Sequence, residues 1–203
     1  MSIVVRQLEG HSWSFWSCWR PRKGYEVGGD FCYLFAGKKS VIAAVVDVLG
    51  HGEEAYKSAR ELLKTLQNQE ENELEVLFKS LEGEASRNRG CALFLASFSP
   101  FAIRYIMVGN MKGWLLKESC KVDLLFSQPG VVGGRKMTPT IRETGLAGVE
   151  GLIVCSDGIR RGFVPTSCSA TLNQGEERLA LYILEKYGIP EDDASVLIGR
   201  RRK

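Results

Sequence analysis

The sequence has 203 residues, of which 44% are hydrophobic, and its 27 basic and 24 acidic residues leave a formal net charge of +3. This length and apolar content suit a single domain, spanning residues 1–203, with one buried core. The small charge excess argues against a nucleic-acid-binding protein, whose basic groups would form a stripe across the fold. The visible basic excess lies at residues 200–203, "RRRK", which we interpret as a short solvated tail.

Cysteine usage and apolar run lengths indicate the compartment. The six cysteines include no CxxC pair, and several lie in apolar runs, so we expect reduced core thiols and a cytoplasmic protein. No apolar run is long enough to cross a bilayer, and the N-terminus lacks the pattern of a secretory signal. We therefore expect no membrane partner. We also expect a monomer. The cysteines are Cys18, Cys32, Cys91, Cys120, Cys155 and Cys168.

Apolar runs rich in β-branched or aromatic residues predict the strands. Between the first two runs, apolar residues recur at helical spacing from Ala55 to Leu66 and again from Leu74 to Leu81, which predicts two consecutive helices. The order of strand, two helices and several adjacent strands favours a largely antiparallel α+β fold over a parallel doubly wound sheet. The predicted strands lie at residues 41–48, 91–98, 103–108, 114–116, 151–155 and 196–198.

A third helix is predicted near the C-terminus, at residues 176–186. Leu179, Tyr182 and Ile183 recur at helical spacing there and are predicted to face inward. Gly188 follows as a stop signal. The predicted strand at residues 196–198 follows this helix.

Aspartates recur at the ends of apolar strands. A single Asp beside glycine usually forms a turn, but four such positions together favour another explanation. If the strand ends converge, the carboxylates would repel one another and could stay ionised together only around a polycation. The positions are Asp30 in "VGGDFCYLF", Asp47 in "AVVDVLGHG", Asp157 in "IVCSDGI" and the pair Asp192 and Asp193 in "PEDDASVLI".

The available ligand types indicate which metal this would be. The sequence has two histidines and no paired cysteines, so an all-oxygen shell suited to Mg²⁺ or Mn²⁺ is favoured over a zinc site. His51, between Gly50 and Gly52, is interpreted as part of the turn and not as a ligand. The Gly-rich stretch at residues 130–136 departs from the spacing of phosphate-binding loops, so we predict a turn or flap there.

Several of these motifs together carry a family resemblance. "GGDF", "DVLGHG", "SDGI" and "DDASVLI", in this order over nearly the whole chain, resemble the metal-dependent PPM (PP2C-type) protein phosphatases of the bacterial SpoIIE class. "YIMVGNMKGWLL" and "QPGVVGG" are similar to further segments of that class, and the small size is similar to its stressosome phosphatases. The resemblance implies an αββα sandwich of two mainly antiparallel sheets flanked by helices, with two Mn²⁺ or Mg²⁺ ions at one end.

The resemblance also implies a catalytic site. Asp47 would bridge both metals, and the main-chain carbonyl of Val48 would bind one of them. Asp157 and Asp192 would complete the shell of the other metal, while Asp30 would contact the centre directly or through water. The implied function is a serine/threonine protein phosphatase that hydrolyses phosphoserine or phosphothreonine on a STAS-domain stress-response regulator, through a metal-bound hydroxide.

The sequence gives a weaker signal for the residues that contact the substrate than for those that bind the metals. Eukaryotic relatives hold the substrate phosphate with an N-terminal arginine, for which Arg20, Arg22 and Lys23 are the candidates here. Arg160 and Arg161, after "SDGI", are candidates for contacting a protein substrate. Two alternatives stay open: a metal-free pseudophosphatase that only binds a phosphoprotein, and a phosphatase of small-molecule phosphoesters.

Overall fold

The structure is a computed structural model that describes residues 3–69, 73–165 and 175–202. These residues form two sheets in which every pair of neighbouring strands is antiparallel. The strands are β1 (Val4–Gly10), β2 (Trp13–Arg20), β3 (Asp30–Ala36), β4 (Val41–Val48), β5 (Cys91–Phe98), β6 (Ala102–Val108), β7 (Lys112–Lys117), β8 (Lys121–Leu124), β9 (Arg142–Gly145), β10 (Val149–Cys155) and β11 (Ala194–Arg201). The helices are α1 (Gly52–Gln67), α2 (Leu74–Arg87) and α3 (Glu176–Tyr187).

The two sheets pack face to face through one hydrophobic core. The six-stranded sheet has the order β1-β2-β11-β10-β7-β8, and the five-stranded sheet has the order β3-β4-β5-β6-β9. Phe15, Leu152 and Leu197 enter the core from the six-stranded sheet, and Val45 and Phe94 enter it from the five-stranded sheet. Burial of these side chains between the sheets supplies the main apolar driving force for the sandwich.

Helices cover the outer face of each sheet. Leu62 of α1 and Phe78 of α2 pack with Val46 on the outer face of the five-stranded sheet. Ile183 of α3 packs with Ile153 on the outer face of the six-stranded sheet. The predicted αββα sandwich is therefore confirmed, with the helices in the order that the sequence predicts.

Some details differ from the sequence-based expectations. Tyr182, predicted to face inward, is 45% exposed, and its hydroxyl accepts a hydrogen bond from Lys186 at 2.6 Å. Cys120 is exposed, whereas Cys18, Cys32, Cys91 and Cys155 are buried, and all five are free thiols. Cys168 lies outside the described residues.

The basic C-terminus is not a solvated tail over the residues that are described. Strand β11 continues through Arg201, whose Nη1 donates a hydrogen bond to the carbonyl of Leu146. The main-chain N–H of Arg202 donates to Ser12, and its guanidinium pairs with Glu9. Arg201 and Arg202 therefore attach the end of β11 to the turn after β9 and to the β1–β2 hairpin. Separately, none of the helices in the described ranges combines the length and apolar character that a membrane crossing requires.

Candidate metal centre

Two of the predicted acids lie side by side in the five-stranded sheet. Asp30 is the first residue of β3 and Asp47 is the second-last residue of β4, and the two are direct partners in the antiparallel ladder. The Cβ atoms of such partners lie about 4.5–5.5 Å apart on one face of a sheet. Strand register alone therefore places two carboxyl groups against each other at one end of this sheet.

The other two acids come from the six-stranded sheet. Asp157 follows the end of β10, and Asp192 precedes the start of β11, so the antiparallel pairing of these strands brings both acids to one edge. A hydrogen bond joins the carboxyl groups of Asp47 and Asp157 and so links the two sheets. The side-chain amide of Asn110, in the turn between β6 and β7, donates to Asp157 Oδ2. The structure thus brings the predicted acids together at one end of the sandwich.

Burial and mutual repulsion strongly perturb these carboxyl groups. Burial, followed by the charges of Asp30 and Asp157, raises the pKa of Asp47 from 3.8 to about 10. Burial also raises the pKa of Asp30 to about 7, while the nearby hydroxyls of Ser156 and Ser195 act in the opposite direction. In the absence of a cation, the cluster therefore retains protons at neutral pH.

Within the described parts of the chain, no basic side chain forms an ion pair with Asp30, Asp47, Asp157 or Asp192. Asp30 Oδ2 is buried and has no hydrogen-bond partner. Unpaired buried carboxylates are costly, so these atoms fit a site for cations with hard oxygen ligands such as Mg²⁺ or Mn²⁺. In the same ranges, no group of three or more histidine, cysteine, aspartate or glutamate side chains is already arranged around a metal position.

The buried Arg20 lies close to the acids but is occupied by main-chain carbonyls. Its guanidinium donates to the carbonyl oxygens of Pro21 and Asp192 at 3.0 Å and to that of Ile189 at 2.9 Å. Arg20 therefore anchors the loop before β11, and its described donors are not offered to a substrate phosphate. Arg20, one of the candidates for holding the substrate phosphate, is therefore a buried residue at the end of β2.

The turn after β4 explains the glycines around Asp47. A Cβ atom on Gly29 would lie 2.9 Å from the carbonyl oxygen of Val48, so glycine leaves this proposed ligand accessible. Gly50 has φ +95°, which reverses the chain before α1 begins. His51 is the N-cap of α1 and makes no side-chain capping hydrogen bond; its ring packs edge-on against Tyr25, with the centroids 5.1 Å apart.

The adjacent Asp192 and Asp193 have different environments. Asp193 is only 4% exposed, and its carboxylate accepts main-chain hydrogen bonds from Arg22 at 2.8 Å and from Gly29 at 2.6 Å. Asp192 is less buried, and burial together with the charge of Asp157 raises its pKa. Asp193 therefore fixes the turn that leads to Asp30, while Asp192 interacts with the other acids.

Two contributions were not identified from the sequence. The structural role of Asp193 depends on a contact between distant segments, although the doubled acid in "PEDDAS" was a visible signal. The contact of Asn110 with Asp157 has no comparable signal, because "GNMKG" resembles an ordinary strand-turn-strand segment.

The glycine after Asp157 is predicted to be irreplaceable. A Cβ atom on Gly158 would lie 1.8 Å from the main-chain oxygen of Asp193, so Gly158→Ala must displace one of the two loops that carry the acids. We expect a loss of about 3 kcal/mol or more in the free energy of unfolding, measured by urea denaturation. Gly162→Ala is the matched control, because nothing lies within 4 Å of its Cβ position. Equal stability of the two variants would contradict the close packing.

Comparisons with known proteins agree with this architecture. No protein-family model and no curated protein sequence matches the chain. A solved chain described as "The bacterial stressosome: a modular system that has been adapted to control secondary messenger signaling" has 26% identity and a TM-score of 0.80, over 93% of this chain and 98% of that chain. RsbX in complex with magnesium has 18% identity and a TM-score of 0.81, over 98% and 100%.

A third structure extends the comparison to a larger protein. It contains the PP2C phosphatase domain and a fragment of the regulatory domain of SpoIIE from Bacillus subtilis. It has 18% identity and a TM-score of 0.73, over 98% of this chain and 71% of that chain. The chain therefore has the fold of the bacterial PP2C-type phosphatases.

Proposed function

We propose that this protein is a metal-dependent serine/threonine protein phosphatase. The observation that carries the proposal is the cluster of carboxyl groups at one end of a PP2C-type sandwich, where Asp30 Oδ2 is buried and unpartnered. Four acids that lack a cationic partner are expensive to keep, so the cluster counts against a pseudophosphatase that has lost its metals. RsbX, a protein of the same fold, is described in complex with magnesium, which supports the same metal chemistry here.

The chain's own residues would hold two divalent ions in the following way. Asp47 would contact both ions, and the main-chain carbonyl of Val48 would bind one of them. Asp157 and Asp192 would hold the other ion. Asp30 would contact the centre directly or through water. The ions would supply the positive charge that activates a water molecule and stabilises the phosphoryl oxygens during an in-line displacement.

Phosphatase activity is predicted to depend absolutely on a divalent metal. Chelation with EDTA should reduce hydrolysis of p-nitrophenyl phosphate and of phosphoserine peptides to background, and Mn²⁺ or Mg²⁺ should restore it. Metal binding should also raise the melting temperature of the chelated protein, because the ions neutralise the crowded carboxyl groups. Full activity in protein verified to be free of metal would refute the proposed site.

We propose a phosphorylated STAS-domain protein as the substrate, acted on by a cytoplasmic monomer. The likeness to RsbX and to a chain described with the bacterial stressosome supports this choice. The test measures phosphate release from phosphorylated STAS-domain proteins of the same cell and from free phosphometabolites. Turnover of the metabolites alone would favour the small-molecule alternative.

Arg160 and Arg161 are exposed and follow the loop of Asp157, so they remain candidates for contacting a protein substrate. Replacing both with alanine should slow dephosphorylation of the protein substrate more than that of p-nitrophenyl phosphate, because remote binding is lost. Equal losses on the two substrates would place them in the chemistry instead.

A further inference from the structure

Two exposed apolar side chains flank Gly90 near the strand end that carries Asp47. Leu49 is 48% exposed and Val131 is 36% exposed. A Cβ atom on Gly90 would lie 2.5 Å from Val131 Cγ1 and 3.5 Å from Leu49 Cδ1, so both side chains reach over this glycine. Leu49 and Val131 therefore flank Gly90 as neighbouring exposed side chains, and we call this pair the apolar lip.

The apolar lip borders the strand end that carries Asp47. Leu49 follows Asp47 by two positions, and its main-chain N–H donates to the carbonyl of Gly90 at 2.9 Å. The segment that contains Val131 is fixed to the start of β5 by two hydrogen bonds between Cys91 and Val132, of 3.0 and 2.9 Å. A group held at the acids would therefore have the apolar lip immediately beside it.

An arginine is positioned next to the apolar lip. Arg89 Nη1 donates to the carbonyl oxygen of Leu49 at 3.3 Å and lies against Gly50. The side chain is exposed, and no carboxylate of the described residues forms an ion pair with it. Its remaining N–H donors are available to an external carboxylate, which guanidinium groups bind in a bidentate manner.

We propose that the apolar lip and Arg89 bind the polypeptide that flanks the phosphorylated residue, and that they select a segment with one apolar and one acidic residue near the phosphoserine or phosphothreonine. This inference rests on the proposed function. Apolar surface beside a fixed cation complements a segment of that composition, because it removes the exposed side chains from water and pairs the guanidinium. A small phosphometabolite has no side chain to occupy the apolar lip.

The test uses matched phosphoserine peptides that differ at one flanking position, leucine against glycine or aspartate against asparagine. For the parent protein with Mn²⁺, we expect kcat/KM to be about five-fold higher for the leucine and for the aspartate peptide. Val131→Thr, which keeps the shape of the side chain, should reduce the leucine preference to about two-fold or less. Arg89→Gln should remove the aspartate preference. Phe101→Ser is the control, because Phe101 is 84% exposed beyond the opposite end of β5.

The outcomes separate this inference from the proposed function. If the parent hydrolyses neither the peptides nor p-nitrophenyl phosphate in a metal-dependent manner, both proposals fail. If the parent is active but shows no preference, or if Val131→Thr and Arg89→Gln leave the preferences intact, only the selection by the apolar lip is overturned. The absence of both preferences in the parent overturns the inference even if a variant folds poorly. A parent dimer that Val131→Thr dissociates would assign the apolar lip to a second copy and also overturn the inference.

Discussion

Asp47→Asn is expected to abolish phosphatase activity, by about a thousand-fold or more, and to stabilise the metal-free protein. Activity falls because the bridging carboxylate between the two proposed metal positions is lost. Stability rises because the amide removes a buried acid that faces Asp30 directly across the ladder and contacts Asp157. Opposite effects on activity and stability distinguish a metal ligand from a residue that only supports the fold.

The stability effect should depend on pH in a defined direction. The pKa of Asp47 in the folded, metal-free protein is raised from 3.8 to about 10, so the folded state holds this proton more tightly than the unfolded chain does. The contribution to stability is therefore fully present below about pH 4 and is lost as the pH rises toward 10. Asp30, with a raised pKa of about 7, adds a loss in the lower part of this window.

Thermal melts in EDTA at about pH 6 and about pH 9 provide the measurement. The melting temperature of the parent should be lower at about pH 9 than at about pH 6. The corresponding decrease for Asp47→Asn should be smaller. Adding Mn²⁺ should stabilise the parent at the higher pH and have little effect on the variant. A variant that retains activity, or that melts well below the metal-free parent, would contradict the assigned role.

The second large effect is a contrast between neighbouring acids. Asp193→Ala should lower the free energy of unfolding by about 3 kcal/mol, because the main-chain N–H groups of Arg22 and Gly29 lose a buried acceptor. Asp192→Ala should change the stability of the metal-free protein by only about 0.5 kcal/mol but should remove most of the activity. Urea denaturation in EDTA and kcat with Mn²⁺ measure the two effects.

Both variants are informative because they differ by one position in the chain. The sequence-based assignment of Asp192 as the metal ligand stays a prediction until they are compared. A larger loss of kcat in Asp193→Ala, at concentrations of denaturant where that variant is fully folded, would reverse the assignment.

The central strands could be predicted from the sequence because both of their faces are buried. Residues 41–48 and 91–98 are almost uninterrupted apolar runs, and they match β4 and β5 at both ends. Each of these strands packs against the other sheet on one face and against helices on the opposite face, so both faces carry apolar side chains. The helices α1, α2 and α3 were likewise visible as apolar residues at helical spacing.

Strands β2, β8 and β9, which were not predicted from the sequence, lack so clear a pattern. In β2, "WSFWSCWR", Ser14 and Ser17 are buried among aromatic residues, so polarity does not report which face points inward. The strands β8 and β9 are four residues long and mostly exposed, and their hydrogen bonds come from longer neighbours. Their existence depends on the sheet edge that they extend and not on their own composition.

The candidate site likewise combines features that are visible in the local sequence with contacts that form only in the folded structure. The acids at strand ends were recognisable one by one, and the resemblance to PP2C-type phosphatases placed them together. The pairing of Asp30 with Asp47 and the support of Asp157 by Asn110 arise only when the strands take their register. Chain segments that are far apart in the sequence form these contacts, so no local sequence pattern predicts them.

The direct pairing of Asp30 with Asp47 limits how the β3–β4 hairpin can change during evolution. Side chains alternate between the faces of a strand, so a slip of one residue would turn one acid toward the helix layer. A single-residue insertion at residues 37–40, absorbed as a shift in pairing, would then separate the acids without altering either of them. Length variation among descendants of this protein should therefore accumulate in other connections, while this hairpin keeps a constant number of residues.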